Sequence, residues 1–194
     1  MSDSPVRLKS VDVLSENWGT LKKYTYDFTR RDGQTETQAR EVYDRGNGAT
    51  VLPYDPVRET VLLSRQFRLP AFVTGHKPML IEACAGLLDD NDAETTARKE
   101  TEEELGYRLR DIKRVFDVFM SPGSVTERLA FFIAVYDPSD RISDGGGHED
   151  EGEDIEVLEM TLDDALGLVK KGLIVDAKTI MLLQHLKLEQ ITAI

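Results

Sequence analysis

The sequence predicts an α/β protein: an α/β/α sandwich on a mixed sheet, preceded by a small N-terminal antiparallel β unit. Three observations support this prediction. The first 45 residues alternate apolar and polar side chains between turn residues, strand-like apolar runs fill the middle of the chain, and two amphipathic segments close it. With 194 residues, 40% of them hydrophobic, the chain can bury the core of one catalytic domain. We therefore expect a β unit at residues 1–45 and the main domain at 46–194.

The β unit is expected to contain three strands, at 6–14, 19–30 and 36–44. Arg31-Asp32-Gly33 is typical of a turn between the second and third strands. The glycine-rich passage at 45–48 then separates this unit from the main domain. A small sheet of this kind cannot bury both of its faces by itself.

The main domain is expected to open with a hairpin and then to mix strands with helices. Its expected strands are 49–55, 60–68, 80–86, 113–120, 126–137 and 155–160. Its expected helices are 92–105, 162–172, which Thr161 caps, and 177–188. Because the strand at 80–86 leads directly into the first helix, the sheet positions that helix.

Signals at both ends bound the helix at 92–105. Asn91 or Asp92 can cap its N-terminus, and Gly106 supplies a left-handed stop at its C-terminus. Between these ends, five glutamates fall within eleven positions. Residues three and four apart share one face of a helix, so the spacing of these acids decides whether they can act together.

Glu100 and Glu104 are expected to lie one above the other on this helix, with Glu103 beside them. Their face also carries Ala93 and Ala97, small residues of the kind that pack a helix against its sheet. A like-charge pair there is unfavourable once partly desolvated, unless a cation compensates it. Hard carboxylate oxygens favour magnesium or manganese over zinc or copper. The alternative is a solvated acidic helix face, which is the commoner meaning of an isolated glutamate run.

Composition limits the classes of partner. The formal net charge of −12, without a basic patch, disfavours nucleic acid and anionic membrane surfaces. The single cysteine, Cys84, excludes an internal disulfide and lies in an apolar run typical of a buried core residue. The N-terminal residues lack the apolar core of a signal peptide and no segment is long and apolar enough to span a membrane, so we expect a cytoplasmic location.

The stretch from Gly86 to Tyr107 resembles the signature of the Nudix hydrolases, in which a glycine precedes a helix with the pattern Arg-Glu-aliphatic-x-Glu-Glu-x-Gly-aliphatic. Here Gly86 is followed after five residues by Asp92, and after six more by KETEEELGY, beginning at Lys99. Four departures are present: Asp92 for a glutamate, a middle section one residue shorter, Lys99 for an arginine and Thr101 for an aliphatic residue. All the metal carboxylates are retained, whereas the role of Asp92 is left open.

Six separated segments extend the resemblance to the GDP-mannose pyrophosphatase branch of this family: REVYDRGNGA, RQFR, AGLLD, MSPGSVTE, GGGHEDE and DAKT. The resemblance implies a magnesium-dependent hydrolase, with manganese as a possible substitute, that cleaves GDP-mannose to GMP and mannose 1-phosphate. Two alternatives remain: an ADP-ribose or broad nucleoside diphosphate sugar pyrophosphatase, and a non-catalytic nucleotide-sensing module. The sensing module is less expected, because such modules usually lose the metal carboxylates and this chain retains them.

By the same resemblance, oxygen atoms from five residues bind the metal ions: the carbonyl of Ala85 and the carboxylates of Glu100, Glu103, Glu104 and Glu151. Glu103 is either a third ligand or an orienting catalytic acid. The general base is expected on the acidic loop at 143–154. Counting from its glycines selects Glu151, whereas counting back from the next strand selects Glu153.

The resemblance also implies the residues that contact the substrate. They are Trp18, Arg40, Glu41, Arg68, Ala85, Gly86, Leu87, Glu104, Glu127, Asp150, Glu151 and Lys178. Trp18 would stack on the guanine, although a core or interface aromatic residue is an equal alternative. The branch is dimeric, with exchanged N-terminal strands, so Trp18 and Arg40 would complete the active site of a second subunit.

Overall fold

A computed structural model describes residues 4–148, 150 and 152–192. The chain forms two compact units. The first unit comprises Met1–Asn47 and Val118–Arg128, and the second comprises Gly48–Asp117 and Leu129–Ile194. The sequence placed a boundary near residue 45 but did not anticipate that a later segment returns to the first unit.

The first unit is built on a three-stranded antiparallel sheet in the order β1-β2-β3. Its strands are β1 (Val6–Glu16), β2 (Thr20–Thr29) and β3 (Thr35–Asp44), which confirms the three predicted strands. A turn closes the second hairpin where the Arg30 amide donates to the Gln34 carbonyl at 2.8 Å. Every residue of β1 is exposed, so this sheet leaves much of its apolar surface uncovered.

The second unit contains a mixed sheet. Its strands are β4 (Gly48–Asp55), β5 (Thr60–Gln66), β6 (Leu80–Glu82), β7 (Cys84–Leu87), β8 (Arg110–Phe119), β9 (Arg128–Val135) and β10 (Glu156–Thr161), of which β8 and β9 extend into the first unit at one end. The main order is β10-β5-β4-β9-β8, with β6 paired to β5 and β7 paired to β4. Because β4 runs parallel to β9 and antiparallel to β7, the sheet is mixed, as predicted.

Two details of this sheet differ from the prediction. The hairpin of β4 and β5 is short, since only Tyr54–Val61 and Asp55–Thr60 are paired. Beyond those pairs β4 bonds to β7 and β5 bonds to β6. The strand expected at 80–86 is interrupted at Ala83, whose amide donates to the Thr179 hydroxyl at 2.7 Å instead of continuing the ladder.

The three predicted helices are present, and one further short α-helix was not predicted. They are α1 (Leu69–Val73), which was not predicted, α2 (Ala93–Glu100), α3 (Leu162–Lys170) and α4 (Ala177–Thr192). Asp92 rather than Asn91 caps α2, accepting from the amides of Glu94 and Thr95 at 3.0 Å each. The predicted helix continues to residue 105, but Thr101–Leu105 form a π-helical turn that ends at Gly106 with φ 76°. This wider turn was not predicted.

Both faces of β4 are buried, which is the packing that an α/β/α sandwich requires. Ala49 and Val51 belong to the apolar cluster that contains Ala97 of α2. Thr50 and Leu52, which point to the opposite face by strand alternation, are also fully buried. The small-residue face of α2 therefore packs on the sheet, as predicted. Of the three acids in the next turn, Glu104 is buried, Glu103 is partly buried and Glu102 is exposed.

Candidate active site

Glu104 lies in the π-helical turn with a carboxylate that is almost entirely buried. The residue is only 2% exposed, and its Oε2 has no hydrogen-bond partner among the described residues. Burial, together with the charges of Glu100 and Glu153, raises the pKa of Glu104 to about 8, against the opposing effects of the Cys84 thiol and Arg68. A buried carboxylate without a partner is costly unless it is protonated or a cation binds it.

Glu100 lies against the backbone of β7. A methyl group placed on Gly86 would overlap the carboxylate of Glu100, so only glycine allows this approach. Ala85 and Gly86 are held in β7 by their pairing with Thr50 and Ala49 of β4. The strand therefore places the backbone of Gly86 directly beside the carboxylate of Glu100.

Glu103 has a different environment from the other two acids. Its carboxylate lies 3.4 Å from the Lys99 ammonium and 3.0 Å from Nε2 of His148. The contact with His148 was not predicted from the sequence, because His148 comes from a distant loop, whereas Lys99 lies one helical turn before Glu103. With two basic groups beside it, the carboxylate of Glu103 is held in place, which suits it to an orienting role.

The acidic loop is tied to the turn that carries these glutamates. The amides of Gly146 and Gly147 donate to the carbonyls of Glu104 and Glu103 at 2.9 and 3.1 Å. Glu153 Oε2 accepts from the His148 amide at 3.0 Å, and the charge of Glu153 contributes to the raised pKa of Glu104. Glu153 therefore lies close to the buried acid.

Two further residues of the acidic loop, Asp150 and Glu151, were predicted to contact the substrate. Asp150 lies in the same loop with an exposed side chain. Glu151, the other candidate base, lies outside the described residues, so its role stays a prediction.

Arg68 and Lys178 both bind a carboxylate that the sequence did not single out. Glu82, at the end of β6, accepts from Arg68 Nε and from Lys178 Nζ, each at 2.8 Å. Lys178 also lies 3.1 Å from Asp176 and is buried, whereas two fifths of the Arg68 side chain is exposed. The expected substrate contact of Lys178 stays a prediction, and Arg68 is the more accessible cation.

Leu87, another predicted contact, ends β7 in the second unit, and the remaining predicted residues lie in the first unit. Trp18 is 71% exposed, so it is not the core residue of the alternative interpretation. The Arg45 guanidinium stacks on the Trp18 ring at 4.9 Å from its centroid, and Arg45 Nε lies 3.4 Å from the carboxylate of Glu127. Arg45 was not predicted, because its contact with Trp18 joins residues that are distant in sequence.

Arg40 and Glu41 line a pocket of about 460 Å³ in the first unit. Its wall is one face of the three-stranded sheet, including Tyr24, Tyr26 and Phe28, together with the loop at 122–125. An aromatic wall beside a guanidinium and a carboxylate is suited to a flat, polar organic group.

The acids of the second unit fit a divalent cation. Among the described residues no three His, Cys, Asp or Glu side chains already surround a common point, and the predicted ligand Glu151 lies outside them. The orphaned oxygen of Glu104 and the close approach of Glu100 to Gly86 are nevertheless the features that a cation would use. Oxygen donors of this kind suit magnesium, manganese or calcium.

Two family models divide the chain between them. The model described as the GDP-mannose pyrophosphatase NudK N-terminal domain matches residues 5–43, and the model of the NUDIX domain matches residues 44–183. The second match covers most of the chain. The chain belongs to the Nudix family. It is a Nudix hydrolase, and enzymes of this family generally use divalent metal cations.

Known proteins resemble this Nudix hydrolase over nearly its whole length. It is 51% identical to a GDP-mannose pyrophosphatase of Pectobacterium atrosepticum over 183 residues, with 94% of each chain covered. It is 52% identical to one of Cronobacter sakazakii over 187 residues, with 96% of this chain and 97% of the relative covered. It is 51% identical to one of Salmonella typhimurium over 176 residues, with 90% and 91% covered.

A solved structure supports the fold. The crystal structure of an ADP compounds hydrolase matches with a TM-score of 0.72 at 16% sequence identity, covering 96% of this chain and 95% of its own. At that identity the match bears on the fold alone, and it confirms the predicted Nudix-type α/β/α sandwich. Among the described residues, no helix has the length and apolarity needed to cross a membrane.

We predict that Glu104→Gln stabilises the metal-free protein at neutral and alkaline pH. The folded-state pKa of Glu104 is raised above its unfolded value, so the folded protein holds a proton that the unfolded chain releases. The free energy of unfolding should therefore fall as pH rises from about 4.5 to 8, by roughly 4 kcal/mol from this group. Urea unfolding in EDTA should reveal this fall in the wild type and a weaker pH dependence in Glu104→Gln.

Glu102→Gln is the matched control for that prediction. Glu102 belongs to the same turn, but its side chain is well exposed, so its removal should leave the pH dependence of the wild type unchanged. Equal slopes for the wild type and Glu104→Gln would show that Glu104 is not held protonated by its surroundings.

Proposed function

We propose that this Nudix hydrolase cleaves GDP-mannose to GMP and mannose 1-phosphate, with magnesium as its cation and manganese as a substitute. The observation that carries the substrate is the identity of about one half, over nine tenths of the chain, to relatives named GDP-mannose pyrophosphatase. The match of residues 5–43 to the N-terminal domain of that branch supports the same substrate. The overall reaction adds one water across the pyrophosphate bond.

The proposed metal ligands are the carboxylates of Glu100 and Glu104 and the carbonyl of Ala85. The carboxylates of Glu103 and Glu151 are proposed as further ligands. A bound divalent cation would neutralise charge on the pyrophosphate and favour ionisation of the attacking water. The buried, unpartnered Oε2 of Glu104 supports this assignment, because a cation removes the cost of burying the charge. Glu100 is held against Gly86, which limits the positions that its carboxylate can take.

Glu151 is the proposed general base, and Glu153 remains the alternative. Glu153 Oε2 is engaged by the His148 amide, which favours a role for Glu153 in holding the loop. Glu103, with Lys99 and His148 beside it, is proposed to orient the water. It would also bind the cation through the carboxylate lone pairs that these two basic groups do not use. A proton taken from the water would pass to the loop carboxylate and then to solvent.

The proposed contacts with the substrate follow from charge and shape. The backbone from Ala85 to Leu87, the side chain of Glu104 and the loop residues Asp150 and Glu151 would contact the diphosphate and its cation. Arg68 and Lys178 supply positive charge for the phosphates. In the first unit, Trp18, Arg40, Glu41 and Glu127 are proposed to bind the guanosine, and the exposure of Trp18 leaves its ring available for stacking.

The other candidate functions have less support. A sensing module without catalysis has no need of a buried carboxylate whose Oε2, like that of Glu104, has no hydrogen-bond partner among the described residues. Activity on ADP-ribose or on many nucleoside diphosphate sugars remains the alternative for the enzyme. A cytoplasmic location, and a lack of binding to nucleic acid or membranes, stay predictions from the sequence.

We predict that the purified protein with magnesium releases GMP and mannose 1-phosphate from GDP-mannose faster than it cleaves ADP-ribose, ADP-glucose or UDP-glucose. Glu104→Gln should reduce kcat by about a thousandfold or more, since a charged ligand is lost, while Glu102→Gln should stay near the wild-type rate. Product release over this panel, followed by chromatography, makes the comparison. Preference for ADP-ribose would select the alternative substrate, and near-normal turnover by Glu104→Gln in saturating magnesium would reject the metal assignment.

We also propose a homodimer in which N-terminal strands are exchanged, so that Trp18 and Arg40 serve the partner's active site. The support is the matched N-terminal domain together with the exposure of β1, where Leu8 is 61% and Val13 is 57% exposed. Apolar side chains in a row along an edge strand are typical of a surface that another chain covers.

We predict that the wild type sediments as a dimer at micromolar concentration. Leu8→Lys should shift it towards monomer and lower activity, because a charge at an apolar contact opposes association. Ser10→Lys adds the same charge to the same exposed strand at a polar position and should leave the dimer intact. A wild type that sediments as a monomer with full activity would contradict the exchange.

A further inference from the structure

Glu82 is a buried carboxylate that bridges two cations from different parts of the second unit. The residue is 4% exposed. Its Oε1 accepts from Lys178 Nζ and its Oε2 accepts from Arg68 Nε. Arg68 directly precedes α1, whereas Lys178 lies in the first turn of α4. One carboxylate thus fixes the distance between two positive charges that are far apart in sequence.

The charge of Glu82 is maintained by these partners. Burial alone would raise the pKa of Glu82, but Lys178 and Arg68 hold it below its usual range. A buried ion pair stabilises a fold only weakly compared with apolar side chains of similar volume. Its more specific effect is to impose one geometry on the cations it holds.

The bond to Glu82 uses only one of the three nitrogens of Arg68. Among the described residues, no acceptor is recorded for the two terminal nitrogens, and the side chain is partly open to solvent. The charge of Arg68 also reaches Glu104, since it opposes the raised pKa of that acid. A guanidinium held through Nε presents its two terminal nitrogens as a fork, and such a fork matches two oxygens of a phosphate group.

Lys178 is held more tightly than Arg68. Two acids, Glu82 and Asp176, bind its ammonium group, and Asp176 also caps α4 by accepting from the Thr179 amide at 3.0 Å. The Thr179 hydroxyl in turn accepts from the amide of Ala83, the residue that follows Glu82. Lys178 therefore fixes the carboxylate of Glu82 relative to α4. Because Arg68 donates to that same carboxylate, its guanidinium is held in place as well.

We infer that Glu82 is a positioning residue for the reaction, which holds Arg68 so that its two terminal nitrogens receive the diphosphate of the substrate. This inference rests on the proposed function, in which Arg68 binds phosphate. Glu82 itself touches neither substrate nor metal. Its contribution is to remove conformational freedom from Arg68 before the substrate binds, which favours binding without changing the chemistry.

The test begins with Glu82→Gln. The amide keeps the size of the side chain but places an NH2 group against one of the two cations, so Arg68 should lose its fixed orientation. We expect KM for the nucleoside diphosphate sugar to rise about tenfold or more, with kcat within about threefold of the wild type. A rise in KM of less than twofold in a folded variant would overturn the inference.

Asp55→Asn is the matched control. Asp55 is as buried as Glu82 and also pairs with an arginine, Arg58, through Nε at 2.6 Å, but it has no predicted contact with the substrate. Its substitution should lower the unfolding midpoint and leave KM unchanged. If both variants raised KM equally, general destabilisation would account for the effect and the positioning role would be rejected.

A double-mutant cycle tests whether Glu82 acts through Arg68. In the Arg68→Ala background, Glu82→Gln should have little further effect on KM, because the group it positions is already absent. If the fold-changes in KM of the two single substitutions multiplied in the double variant, Glu82 would act independently of Arg68 and the inference would be overturned. If Glu82→Gln does not fold, Glu82→Asp replaces it: the shorter side chain cannot reach both cations, so an unchanged KM would be equally decisive.

A binding measurement separates this inference from the proposed function. If the wild type hydrolysed no nucleoside diphosphate sugar, the proposed function would fail. Calorimetric titration of inorganic pyrophosphate in the presence of magnesium would still compare the wild type with Glu82→Gln. A weaker association by about tenfold would support the positioning of Arg68, and equal dissociation constants would reject it.

Discussion

The cost of burying the Glu104 carboxylate is the constraint on which the rest of the second unit depends. Among the described residues its Oε2 has no hydrogen-bond partner, and burial, together with the charges of Glu100 and Glu153, raises its pKa. In the absence of a cation the protein must either protonate Glu104 or accept an unfavourable charge in its interior. A bound cation would remove this cost, which is why we propose Glu104 as a metal ligand.

The scaffold keeps the surrounding acids at defined positions. β7 brings Gly86 against Glu100, where no other residue would leave room for the carboxylate. The glycine loop donates to the carbonyls of Glu103 and Glu104, so the loop acids and the turn acids belong to one hydrogen-bonded assembly. Holding several acids close together lowers the stability of the free protein. Ligand binding restores that stability, because the bound ligand interacts with acids that are already in position.

Much of the fold was predictable because local chemistry agrees with the final structure. The cap at Asp92, the stop at Gly106, and the alternation of the N-terminal strands each follow from a few neighbouring residues. The π-helical turn at Thr101–Leu105 was not predictable, since its hydrogen-bond register depends on how a buried turn packs. The interruption at Ala83 likewise depends on Thr179, which lies 96 residues away in the sequence.

The site was predicted less completely than the fold. The acids of α2 and its following turn could be grouped by helical spacing, but the bridge from Glu82 to Arg68 and Lys178 joins residues that no local pattern connects. Glu82 could have been suspected only because a lone acid stands in an apolar strand, where an unpaired charge is unfavourable. Contacts such as those of His148 with Glu103 and of Arg45 with Trp18 arise only when distant segments pack together.

The most direct test of the central claim compares unfolding midpoints at one neutral pH, with EDTA and with saturating magnesium, for the wild type and Glu104→Gln. Magnesium should raise the midpoint of the wild type, because ligand binding to the folded state stabilises it and a cation pairs with the buried carboxylate. The variant should start higher in EDTA and gain little. Equal gains for both proteins would mean that magnesium binds without Glu104, and the account of the site would be wrong.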